Sequence, residues 1–282
     1  MNIGLGLIPA IFWGILPIWM KKITGGSCVQ QLLGTSVGIT LSALVLQIIF
    51  NFTINTTNFL IYYCSGICWS IGQGGQYLGY DKLGVSTTMP LSTAFQVIGN
   101  SLIGGWLFSE WAGLHDCLIG ISALIIIMIG TLIINGKKEN IKRASFKWYF
   151  FLLLTTAGYW GYSALPHYSN VQGISGFFSQ SLGMLTGSLI IYLVGKRTIS
   201  GNDKFGLKNI TSGFIFAIAA SVYLISLQVN GLVIAFTLTQ MNVIVSTILG
   251  VIVLKETEIQ RIFPMMIGLI LLMTGAVVMV NA

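Results

Sequence analysis

Apolar residues in this chain come in long runs, too long for strands and apolar on too many sides for surface helices. About 20 apolar residues cross a bilayer as a helix. On that measure the chain divides into ten spans, near 3–20, 31–50, 59–79, 85–108, 116–135, 147–165, 174–194, 210–227, 232–254 and 262–280. One span is unusual. The stretch from Gly84 to Glu110 is long enough to cross a membrane, yet it holds Pro90, Gln96 and Asn100. An amide in lipid needs a partner, so it faces a protein interior or a cavity. The stretch from Gly231 to Glu256 repeats the pattern. With the closing glutamates aligned at an offset of 146, Thr93, Gln96 and Asn100 fall on Thr239, Asn242 and Ser246. Spacings of three and then four put each trio on one helical face.

The repetition extends along the chain. Trp13-Gly14 recurs as Trp160-Gly161, Gln31 with Gly34 and Gly38 as Gln180 with Gly183 and Gly187, Ser65-Gly66 as Ser212-Gly213, and Gly84 as Gly231, all at offsets between 146 and 149. Two repeats of five spans are expected, 1–136 and 148–282, joined by a basic cytoplasmic connector at 137–147. Because five is odd, the second repeat enters the membrane inverted, an arrangement typical of transporters with a mid-membrane site at the repeat interface.

Composition excludes a water-soluble globule: 55% of residues are hydrophobic and 7% charged, with a mean hydropathy of +0.86. The stretch Ile3 to Met20 lacks a basic leader and is followed by Lys21-Lys22, so it reads as a retained span. The net charge of +7 is explained by topology. All 14 Lys and Arg residues fall in the loops after spans one, three, five, seven and nine. The positive-inside rule puts those loops in the cytoplasm and both termini outside the plasma membrane. No nucleic-acid partner is implied. Cys28, Cys64, Cys68 and Cys117 form no disulfide framework or metal-binding pattern, and no cofactor is indicated.

Span three carries Trp69, Gln73, Gln76 and Tyr80 as one stripe of aromatic and amide side chains. Such a lining suits sugars, whose C–H faces lie on rings while amides read hydroxyls. The competing reading is helix–helix packing, since amides also bond across helices. The same two readings apply to Trp13, Trp160, Gln31, Gln180, Gln96, Asn100 and Asn242. Trp106, Trp111 and Trp148 sit at span ends as an interfacial belt. Gly34/Gly38 and Gly183/Gly187 are GxxxG pairs for close packing or sliding, and Pro90 is a kink or hinge. Charged residues lie at span ends. Glu110 and Glu256 read first as interface anchors, with Glu110 and Asp116 as candidates for proton coupling. With two histidines and no nucleophile–base arrangement, enzyme chemistry has no obvious residues.

The segments Ile8-Pro9-Ala10-Ile11-Phe12-Trp13-Gly14, Gln31-Leu32-Leu33-Gly34-Thr35 and Met89-Pro90-Leu91-Ser92-Thr93-Ala94-Phe95-Gln96, with Glu110-Trp111, resemble the glucose/ribose porter family of the drug/metabolite transporter superfamily. The resemblance runs across nearly the whole chain. It implies an all-α fold of ten transmembrane helices in two inverted five-helix repeats, and proton-linked uptake of a monosaccharide. It also implies a cavity lined by helices one to four and six to nine. Motif and stripe together predict a plasma-membrane importer of glucose or ribose working by alternating access. Substrate contacts are expected from Trp13, Gln31, Trp69, Gln73, Gln76, Thr93, Gln96, Asn100, Trp160, Gln180, Thr239 and Asn242. Facilitated diffusion, export of another metabolite or drug on the same fold, and a non-transporting membrane sensor are the rival readings.

Overall fold

The computed structural model describes residues 2–135, 146–171, 173–196, 203–254 and 262–279. All regular structure among them is helical: α1 (Ile3–Trp19), α2 (Cys28–Phe50), α3 (Thr56–Lys82), α4 (Val85–Leu102), α5 (Leu114–Asn135), α6 (Phe146–Ala164), α7 (Phe177–Gly195), α8 (Ile210–Thr239), α9 (Asn242–Leu249) and α10 (Ile262–Met279). Among the described residues six helical stretches are long and apolar enough to cross a membrane: Ile3–Thr24, Cys28–Phe50, Leu114–Ile134, Gly173–Gly195, Leu207–Leu254 and Ile262–Met279. Large apolar side chains such as Ile48, Leu132 and Phe263 stand exposed on the outward faces. In water they would form an aggregating surface; in lipid they are solvated. The chain is a multi-pass membrane protein.

The described helices begin near where the apolar runs predict, and their ends follow local chemistry. Asn2 caps α1 by accepting from the Leu5 N–H, and Asn55 caps α3 by accepting from that of Asn58. A positive-φ glycine, Gly84 (φ 82°), separates α3 from α4. Gly231 (φ 76°, ψ 172°) breaks α8 in the same way, which makes it two limbs. Only glycine adopts this geometry without a Cβ clash. A second break was not expected. At Gln240–Met241 the helical ladder shortens, Val243 N–H donating to Gln240 O (3.1 Å) and Ile244 N–H to Met241 O (3.0 Å). The ninth predicted span is therefore a limb from Leu232 to Thr239, a break, and then α9 continuing into a π-helical turn, Gly250–Leu254.

Helix α3 packs on α6 and α7, α8 on α1 and α2, α2 on α7, and α5 on α10. The central crossings are glycine contacts. A Cβ on Gly38 would strike the Ile210 carbonyl and Gly213, and one on Gly183 would strike the Tyr63 carbonyl and Gly66. The backbones thus approach as closely as helices can. Gly34 is as tight, against the Gly206 carbonyl, and Gly187 less so, against the Ser70 side chain. Trp111 departs from the expected belt: it is buried, wedged against Gly105 and Gly120, whereas Trp106 is 59% exposed. The two glycines leave room for its indole at the start of α5. Trp148 sits under the ammonium groups of Lys82 and Lys147. Most of the basic connector at 137–147, together with Glu256, lies outside the described residues.

Candidate functional site

Helices α1, α3, α4, α6, α8 and α9 line a cavity of about 50 Å³, room for a few water molecules. Its walls differ in chemistry. One wall is aromatic. Phe216 of α8 lies between Trp13 (ring centroids 5.3 Å) and Trp69 (5.1 Å, edge-on). Tyr162 and Phe236 extend the same wall through Tyr223 behind it. These rings come from four helices whose small residues allow close approach.

Amide side chains line another part. Gln76 Oε1 accepts from Gln73 Nε2 (3.1 Å) and from the Tyr159 hydroxyl (2.9 Å), while its Nε2 donates to Ser92 Oγ (3.1 Å). Ser92 Oγ also accepts from Gln96 Nε2 (2.8 Å). Gln73 and Gln76 sit one turn apart on α3, and Ser92 and Gln96 one turn apart on α4. Two helices thereby present one continuous network. A network with its members paired is rigid in a low-dielectric setting. It holds the Oε1 atoms of Gln73 and Gln96 outside its own bonds.

At the break between α8 and α9, Gln240 and Asn242 complete the cavity. Gln240 Nε2 donates to Thr239 Oγ1 (3.2 Å), but Gln240 Oε1 and Asn242 Oδ1 are buried without partners. So are the indole N–H groups of Trp13 and Trp69 and the Tyr162 hydroxyl. Each unpaired buried polar group costs about 1–3 kcal/mol. The five, on residues that line the cavity, are two N–H donors, one hydroxyl and two carbonyl acceptors. No cluster of possible metal ligands occurs among the described residues.

Of the expected contacts, Trp13, Trp69, Gln73, Gln76, Thr93, Gln96 and Asn242 line this cavity. The others lie elsewhere. Gln31 donates to the carbonyls of Gly25 and Gly26 at the start of α2, and Gln180 to Ser65 Oγ. Trp160 donates to the Phe95 carbonyl and packs on Gly99, joining α6 to α4. Thr239 donates back to Phe236, and Asn100 is fully buried with its amide unpaired. Pro90 is buried within α4. The stripe reading missed Tyr159, Tyr162, Phe216, Phe236 and Gln240. Gln240 was visible in Thr-Leu-Thr-Gln-Met-Asn, but the repeat aligns it with Ala94 and so hides it.

The two coupling candidates hold backbone. Glu110 accepts from the N–H groups of Leu232 and Val233, one on each carboxylate oxygen, both at 2.8 Å. Asp116 accepts from Ala112 N–H (3.1 Å) and lies 3.3 Å from exposed His115.

The helices define a multi-pass membrane protein. A family profile described as "Sugar transport protein" matches residues 4–282, and the chain belongs to that family. A protein of Lactobacillus helveticus provisionally named for sugar uptake is 36% identical, covering 99% of this chain and 100% of its own. The glucose uptake protein of Bacillus subtilis is 32% identical over 98% of this chain and 97% of its own. A protein of Latilactobacillus sakei provisionally named for ribose uptake is 37% identical over 98% and 96%. A solved crystal structure superposes with a TM-score of 0.71 at 13% identity, covering 98% of this chain and 96% of the other, which shows the shared fold.

Proposed function

We propose that this protein imports a monosaccharide, glucose or ribose, across the plasma membrane by alternating access between two inverted five-helix repeats, 1–136 and 148–282, with both termini outside. The observation that carries the substrate class is the cavity's lining of rings and amides. Trp13, Trp69 and Phe216 offer ring surface for the C–H face of a sugar, and the paired amides with the unpaired carbonyls and N–H groups read its hydroxyls. The relatives' names support the same class, and both sugars appear among them.

Paired features support the repeat. The positive-φ Gly84 recurs as Gly231, and the π-helical turn Ile103–Leu107 recurs as Gly250–Leu254. The packing partners recur too: α3 on α6 answers α8 on α1, and α3 on α7 answers α8 on α2. A site where the two repeats meet suits a rocking motion around a fixed centre.

The test is uptake of labelled glucose and labelled ribose into proteoliposomes, with and without an inward proton gradient. Saturable entry of one sugar, weakly competed by the other, is the expected result. Accumulation against a gradient would make the protein a proton symporter; equilibration alone would make it a facilitator. Failure of folded protein to bind or carry either sugar would overturn the reading.

A further inference from the structure

The limb from Leu232 to Thr239 stands between two breaks, Gly231 at one end and Gln240–Met241 at the other. It is a short rigid rod with a joint at each end. Its side chain Phe236 and, at its tip, Gln240 reach the cavity. Its opposite end is held by one side chain from the other half of the protein. The Glu110 carboxylate grips the N–H groups of Leu232 and Val233, where the first turn of a helix leaves N–H groups unpaired and carries partial positive charge. The seat is built for it. A Cβ on Gly104 or on Gly231 would come within 3.2 Å of Glu110 Oε2. Glu110 N–H is itself fixed to the Gly104 carbonyl (3.1 Å), after Ser109 at φ 56°.

We propose that Glu110 is a latch: its carboxylate on the limb keeps the cavity closed at this end, and its release lets the limb pivot and open it. The inference rests on the transport reading above, in which this end, opposite the basic loops, faces outside. A charged carboxylate accepts both N–H bonds, and a neutral carboxyl keeps only part of that grip. Tyr223 of the first limb of α8 is close enough to interact electrostatically with Glu110. Among the described residues the other titratable groups at this end include His115 and Asp116, paired with each other, Cys117, His167, stacked on Phe108 at 3.7 Å, and Tyr168, edge-on to Phe108. No described Lys or Arg pairs with Glu110. Acid outside the membrane therefore favours the open latch.

The experiment places a single cysteine, Val233→Cys, in the full chain with Cys28, Cys64, Cys68 and Cys117 replaced. An impermeant maleimide reads its access in proteoliposomes, with Glu110 present or changed by Glu110→Gln or Glu110→Asp. Labelling several-fold faster in the Glu110→Gln variant, slow in Glu110→Asp, and faster with Glu110 as the outer medium is acidified is the expected result. It comes with sugar exchange whose pH profile is flat only in the Glu110→Gln variant. Equal labelling at every pH, with and without the Glu110→Gln change in folded protein, would overturn the latch. If Glu110→Gln does not fold, hydrogen exchange at the Leu232 and Val233 amides of the unaltered protein decides. A rise on acidification above the intrinsic trend supports the latch, and none overturns it. Labelling that follows Glu110 in a protein that carries no sugar would sink the transport reading and leave the latch standing.

Discussion

Gln76 joins more of the cavity wall than any neighbour, because its amide touches Gln73, Tyr159 and Ser92. Gln76→Leu takes the acceptor from both Gln73 Nε2 and the Tyr159 hydroxyl. A loss of about 1–3 kcal/mol of stability is expected, read as a lower melting temperature in detergent. Gln96→Ala is different. Its bond goes only to Ser92, which keeps Gln76 as a partner. Uptake should fall about tenfold or more while melting and expression hold, if a hydrogen bond to the sugar is worth about 1.4 kcal/mol. Normal uptake by that variant would remove Gln96 from the site. Spacing was enough to find Gln73 and Gln76 on one face of α3, and Gln96 with Thr93 on one face of α4. It could not separate Gln31 from them: an amide that caps the Gly25 and Gly26 carbonyls looks the same in sequence as one lining a cavity. Tyr159, Tyr162 and Phe216 were hidden for the opposite reason, because aromatic residues in apolar runs carry no polar contrast.

At the level of whole helices, the apolar runs located most ends to within a few residues, and glycine marked the turn at Gly231. The break at Gln240–Met241 was not legible, since neither residue is a helix breaker. The GxxxG pairs were legible as packing, and their partners were not: Gly38 meets Ile210 and Gly213, far along the chain. Replacing Gly38 or Gly183 with Leu pushes a side chain into a backbone carbonyl. Either change should separate α2 from α8, or α7 from α3, and lower the yield of folded protein on size-exclusion chromatography. A Leu at Gly113, where a Cβ meets nothing within 4 Å, should not.

Across the whole molecule, charge placement carries the orientation. With the basic loops inside, an impermeant thiol reagent should label a cysteine placed at Asn2 in intact cells. It should label one placed at Lys22 only after permeabilisation. The reverse pattern would invert the proposed topology, and with it the side on which the Glu110 latch opens. Membrane class was legible from composition alone. The full lining of the cavity was not, because it depends on which helices meet around a space that no local pattern records.

The bond from Glu110 to Leu232 and Val233 spans 122 and 123 positions of sequence. During synthesis the acid reaches the membrane long before the limb that it holds has been translated. Until then the carboxylate must remain with water at the surface, and the first half cannot reach its final packing. Neither half is thus a finished folding unit. Separate expression of 1–136 and 148–282 should give unstable fragments, and co-expression should let each complete the other.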